Sequence, residues 1–85
     1  YSVFYKEALS RLSFNQKSLV FAVAKDGSVE NPSSSEFVNR HSLDSVSSVQ
    51  SSARALLGQS ILYKDASGIR IDDDFFKEWL RKEYF

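Results

Sequence analysis

Two helix-start signals stand close together in the middle of this chain, and little more than one tight turn fits between them. The first is "SSSE", 33–36, where Ser33 and Glu36 have the capping-box spacing: a hydroxyl that accepts from the helix and an acid that reaches back. It opens a helix of only two turns, through Phe37 and Val38 to about Arg40. The second start is Asp44 or Ser45, ahead of a longer helix over 45–58 that Gly58 ends or loosens. Between them "HSLD", 41–44, is a tight connection with Leu43 pointing inward. A short helix and a longer one joined in this way form a helix-turn-helix.

The flanking segments complete the order. Over 2–12, Val3, Phe4, Ala8 and Leu12 fall close to one helical stripe, widened by Tyr1, Tyr5 and Leu9. Ser13 and Gln16 repeat the capping-box spacing, followed by the inward positions Leu19, Val20, Val23 and Ala24 and a glycine stop in "KDG", 25–27. "SVEN", 28–31, is short and extended, and Pro32 disfavours helix at Asn31. After 58 the period changes. "ILYKD" and "IRI" flank "ASG", so 61–71 reads as a hairpin. "DDDFFKEWLRKEYF" begins with acids that suit a helix start and places Phe75, Phe76, Trp79 and Leu80 on one face. A hairpin directly behind a helix-turn-helix is a wing. The order points to a winged helix: a single α+β domain over 1–85, mostly helical with a small β-hairpin wing.

The outer face of the 45–58 helix is unusual. With Val46 at zero and a step of 100° per residue, Val49, Ala53, Leu56 and Leu57 gather into a core stripe. Ser47, Ser48, Ser51 and Ala55 fall opposite, with Gln50 and Arg54 on one shoulder and Ser52 on the other. Where a solvated helix would carry Lys and Glu, this one carries serines. In a winged helix that outer face belongs to the recognition helix, whose N-terminal part can enter the major groove of DNA. Hydroxyls there permit close approach and donate to phosphates, Gln50 suits adenine, and Arg54 suits guanine or a phosphate. The DNA-contact candidates are therefore Ser45, Ser47, Ser48, Gln50, Ser51 and Arg54, with Arg40 beside the turn and Lys64 and Arg70 in the wing. Serines on a solvated face also occur with no such role.

Charge restrains the DNA reading, because the formal net charge is zero. Positive excess sits only in 37–71, where Arg40, Arg54, Lys64 and Arg70 face Asp44 and Asp65. A dedicated DNA-binding domain usually has a stronger basic footprint. Contact with DNA requires those four cations to converge. Docking on a protein requires an exposed apolar patch instead.

The stretch 28–82, "SVENPSSSEFVNRHSLDSVSSVQSSARALLGQSILYKDASGIRIDDDFFKEWLRK", resembles the C-terminal winged helix of a family of prokaryotic AAA-type ATPases, archaeal-type and common in Bacteroides. The resemblance rests on Ser13, Asn15, Gln16 and Gly27 in the second helix and its stop. It continues with Pro32, Phe37, Arg40, His41, Leu43, Ser45, Ser47, Ser48, Val49 and Gln50 through the helix-turn-helix, and with Asp74, Phe75, Phe76, Trp79, Leu80 and Arg81 in the closing helix. Ser52-Ala53 departs from the family's usual Ala-Leu and makes a smaller core contact. The resemblance implies a DNA-binding or regulatory appendage to a P-loop ATPase. By the same resemblance, ATP and Mg would belong to the parent protein, which could form a homo-oligomer through its ATPase domain. The absence of an initiator Met and the terminal "EYF" agree with a piece from the C-terminal part of that protein.

Chemistry is scarce. The chain has one histidine, His41, and no cysteine, so Cys-based catalysis, Cys-based zinc sites and disulfides are excluded. The aspartates of 72–74 diverge at a helix start and suit capping better than metal binding. No phosphate loop exists among the three glycines, so no cofactor is expected in this segment. No apolar run reaches the ~20 residues of a membrane span, and a cysteine-free chain suits a reducing cytoplasm. The expectation is a non-catalytic DNA-binding-type module. The alternative is a protein-interaction module that docks on the ATPase domain or a partner, with Trp79, Tyr84 and Phe85 as docking candidates. Val49, Leu56, Phe37, Leu19 and Trp79 are expected in the core.

Overall fold

Ser13 and Gln16 close the capping box that their spacing predicts. The Ser13 hydroxyl accepts from the Gln16 amide at 3.3 Å, and Gln16 Oε1 accepts from the Ser13 amide at 3.1 Å. The computed structural model describes residues 2–85, folded as α1 (Ser2–Ser10), α2 (Phe14–Asp26), β1 (Ser28–Val29), α3 (Ser35–Arg40), α4 (Val46–Gly58), β2 (Leu62–Asp65), β3 (Gly68–Ile71) and α5 (Asp74–Tyr84). The element order is the one expected. Among these helices none is long and apolar enough to cross a membrane.

The start of α3 differs from expectation by one residue. Ser34, not Ser33, is the cap, accepting from the Phe37 amide at 3.2 Å. Asn31 moves the register: its side-chain oxygen accepts from the Ser33 amide at 3.2 Å and holds Ser33 in the preceding turn. Ser42 takes the left-handed conformation (φ 54°) in the connection to α4, and the Leu43 amide closes back on the Val38 carbonyl at 2.9 Å.

The extended segment after α2 joins the hairpin as a third strand, giving an antiparallel sheet in the order β1-β3-β2. Ser28 pairs with Arg70 and Val29 with Ile69, while Tyr63 pairs with Arg70 and Lys64 with Ile69. Paired residues share a face and alternate residues do not. One face therefore carries Leu62, Lys64, Ile69, Ile71 and Val29, and the other carries Ser28, Tyr63 and Arg70. Gly68 (φ 119°) is required where β1 crosses β3, because a Cβ there would run into the Val29 carbonyl.

The core gathers around α2, whose Leu19, Val20, Val23 and Ala24 are buried together with Phe37, Val49, Leu56, Leu62, Ile71 and Leu80. Two helices turn differently from expectation. In α1 the inward residues are Tyr5 and Leu9, with Tyr5 against the rings of Phe76 (5.0 Å) and Trp79 (5.3 Å). Val3 and Phe4, placed on the inner stripe by the sequence, are 76% and 74% exposed. Tyr1 lies outside the described residues. In α5, Phe76 and Leu80 are buried one turn apart, Trp79 is only half-buried, and Phe75 is 80% exposed rather than in the core. The start of α5 contributes to this placement: Asp73 Oδ1 accepts from the amides of Phe75 (2.9 Å) and Phe76 (3.3 Å), and a step of 100° then carries Phe75 out of the face that Phe76 occupies.

Leu56→Ala and Leu19→Ala should each cost about 2–5 kcal/mol, whereas Phe75→Ser should stay within about 0.5 kcal/mol of the parent. Urea denaturation of the three variants checks both expectations.

Candidate nucleic-acid interface

The longer helix of the helix-turn-helix is capped by Ser45, whose hydroxyl accepts from the Ser48 amide at 3.1 Å. Val49, Ala53 and Leu56 point into the core as expected, and Val46 and Leu57 are half-buried beside them. The serine face divides in two. Ser47, Gln50, Ser51 and Arg54 are exposed. Ser48 turns instead toward α2, where its hydroxyl accepts from Asn15 Nδ2 at 2.8 Å. Ser52, placed on an exposed shoulder by the sequence, is buried. One turn apart on α4, Ser48 and Ser52 face Asn15 and Ser18 of α2 across a narrow crevice. Here the small side chains serve packing, and they let two helix backbones come close.

Of the four cations expected on one side, Arg54 and Lys64 come together, while Arg40 and Arg70 are paired with carboxylates elsewhere. Arg54 and Lys64 share an open groove between α4 and the sheet, with Gln50 on its wall and Ala53, Leu57 and Ile69 as its floor. Glu30, from the loop after β1, lines the same groove. Neither Arg54 nor Lys64 is in an ion pair among the described residues. Arg70 is on the opposite face of the sheet, 5.7 Å from the Tyr63 ring and 3.4 Å from Asp65 Oδ2. Arg40 pairs with Asp26 Oδ2 at the end of α2 at 2.6 Å, with its guanidinium 5.9 Å from the Phe37 ring. His41 meets the same Asp26 oxygen through Nε2 at 3.2 Å and packs on Phe37 at 4.8 Å. The reason is alternation in the strand and a nearby carboxylate at the turn, and neither is visible from net charge.

The docking candidates also separate. Trp79 is half-buried among Tyr5, Phe76 and Tyr84, so it is largely a packing residue. Its Nε1 is buried without a hydrogen-bond partner among the described residues. Tyr84 and Phe85 stay exposed and lean on Phe21 of α2, at 5.0 and 6.3 Å between ring centres. Of the aspartates at 72–74, Asp73 is the cap of α5. Among the described residues no group of three or more His, Cys, Asp or Glu is placed to hold a metal ion. Two residues of this region take positions that no local pattern specifies: Asn15 meets Ser48 across the seam between α2 and α4, and Glu30 lines the groove that holds Arg54 and Lys64.

A family model described as "Probable winged helix domain" matches residues 3–82. The chain belongs to that winged-helix family. No curated protein and no solved structure matches the chain. In winged-helix terms α3 and α4 are the helix-turn-helix, α4 is the recognition helix, and β2 and β3 form the wing. Its fold is a DNA-binding type, and the recognition helix turns Ser47, Gln50, Ser51 and Arg54 outward.

The division of the serine face has a measurable consequence. Ser52→Leu would overpack the seam between α2 and the recognition helix and should cost about 1–3 kcal/mol. Ser51→Leu, on the exposed side, should change stability by less than about 0.5 kcal/mol. Thermal or chemical denaturation of the pair distinguishes the two faces.

Proposed function

We propose that this domain binds double-stranded DNA through α4, with Lys64 of the wing as a second contact, and that it has no enzymatic activity of its own. The observation that carries the reading is the outward row Ser47, Gln50, Ser51 and Arg54 on the second helix of the helix-turn-helix, with Lys64 across the groove from Arg54. Ser47 and Ser51 offer donors to phosphate at close approach, and Gln50 and Arg54 have the reach and geometry for base edges. Ser45 and Ser48 act one step back: the first caps the helix and the second seats it on α2. Arg40 and Arg70, held by Asp26 and Asp65, have no part in the contact.

With two cations rather than four on this side, one domain binds weakly. The resemblance to the C-terminal domains of AAA-type ATPases supplies the remedy. As an appendage to a cytoplasmic, oligomeric ATPase, several copies would engage DNA together, and effective concentration would raise the affinity. A second reading, docking on the ATPase domain or another protein, is favoured by one observation: Val3, Phe4 and Phe75 are large apolar side chains left in solvent.

Fluorescence anisotropy with a labelled duplex, titrated from about 50 to about 200 mM salt, tests the proposal on the domain and on a tetramerised fusion of it. Two phosphate contacts give a slope of log K against log salt of about −2 per domain. Arg54→Ala should cost about 1–3 kcal/mol if the guanidinium reads a base, or flatten the slope by about one if it touches phosphate. Ser51→Glu should abolish binding, and Arg70→Ala should leave it unchanged. Absence of binding by the tetramer, or binding indifferent to Ser51→Glu, overturns the assignment.

A further inference from the structure

A basic concave surface lies away from α4. It surrounds Phe21, which stands between two shallow grooves on the outer side of α2. Lys6 of α1 and Lys17 of α2 line one groove, beside Leu9 and Tyr84. Lys25 and His41 line the other, beside Phe85. Among the described residues no Asp or Glu side chain lines either groove, unlike the α4 groove with its Glu30. None of the three lysines is in an ion pair among the described residues. His41, by contrast, is already engaged by Asp26 at 3.2 Å. The aromatic part is open: Tyr84 and Phe85 are 50% and 55% exposed, and Phe21 between them is half-buried.

We propose that Lys6, Lys17 and Lys25, arranged around the Phe21, Tyr84 and Phe85 rings, form a docking surface for an acidic peptide segment of a partner protein that carries an apolar anchor residue. Charge complementarity selects the sign of the partner, because three unneutralised ammonium groups border grooves that hold no carboxylate side chain. Ring geometry selects its class. Phe21 lies at 54° to Tyr84 and at 76° to Phe85, so the rings are tilted against one another and offer no parallel platforms. Bases of a single strand stack on ring faces. A groove bordered by tilted rings suits a single Phe or Leu side chain, the kind of buried anchor that carries peptide and protein recognition. Lys25, 6.0 Å from the Phe85 ring centre, sits at the point where a carboxylate next to such an anchor would arrive. This surface shares no residue with the α4 contact, so the two readings stand or fall separately.

The test uses the folded domain and three labelled peptides: an Asp/Glu-rich peptide with one central Phe, the same peptide with that Phe replaced by Ser, and the same peptide with its acids replaced by Lys. Oligo-dT serves as a fourth probe, and anisotropy at low salt is the readout. The acidic Phe peptide is expected to bind at least tenfold more tightly than either control peptide and than oligo-dT. The double variant Lys17→Glu/Lys25→Glu should lose that binding by tenfold or more. Phe85→Ser should reduce it severalfold, and Arg54→Ala should leave it unchanged. Because these positions are exposed or only partly buried, circular dichroism should report the same fold for each variant. Equal binding of the Phe and Ser peptides, binding that survives the lysine reversals, no binding at all, or a preference for oligo-dT each overturns the proposal.

Discussion

The approach of α4 to α2 through Ser48 and Ser52 sets the rest of this domain. Two helices can lie close only where the side chains between them are short, and here a serine pair one turn apart meets Asn15 and Ser18. Val49, Ala53 and Leu56 then reach the core beside Val20 and Val23. The Asn15–Ser48 hydrogen bond satisfies polar groups that this close approach half-buries, which is what makes serine tolerable there. Once α4 is seated, its rotation is no longer free. Ser47, Gln50, Ser51 and Arg54 must face outward, and Arg54 must face the wing.

The same helix α2 serves the other side of the molecule. Its inner residues hold the sheet, α4 and α5, while Phe21 and Lys17 look outward to α1 and the end of α5. Tyr5 pins α1 to Phe76 and Trp79. The result is a domain with two distinct faces, a polar one around α4 with mixed charge and a basic, aromatic one around Phe21. In a chain of zero net charge such faces arise only by placement. Asp26 and Asp65 neutralise Arg40 and Arg70 where they stand, and they leave Arg54, Lys64 and the lysines around Phe21 to act alone.

Much of the architecture was legible in the sequence because its signals are local. A capping box needs only residues three apart, a glycine stop needs only the backbone of one residue, and a change of period from helix to strand needs only a few neighbours. So the element order, the Ser13–Gln16 box and the hairpin were all readable. Even there, competition between adjacent serines escaped the pattern: Ser33 and Ser34 both fit, and the Asn31 turn decided for Ser34. The amphipathic reading of α1 and α5 failed at Val3, Phe4 and Phe75 for a related reason. An aromatic-rich helix offers more apolar residues than one face can bury, and the face chosen depends on which partner rings it meets.

The chain by itself determined the helix-turn-helix followed by a wing, the inner stripe of α4, and the absence of thiol chemistry, since these follow from residue identity and from periods of two and 3.6 along one segment. Only tertiary structure decided which serines pack and which face solvent. It also decided that Arg40 and Arg70 are neutralised while Arg54 and Lys64 are not, and that lysines distant in sequence surround Phe21. Those outcomes depend on pairs brought together by the fold, such as Asn15 with Ser48 or Asp26 with Arg40, and no periodicity within one element encodes the distance between two.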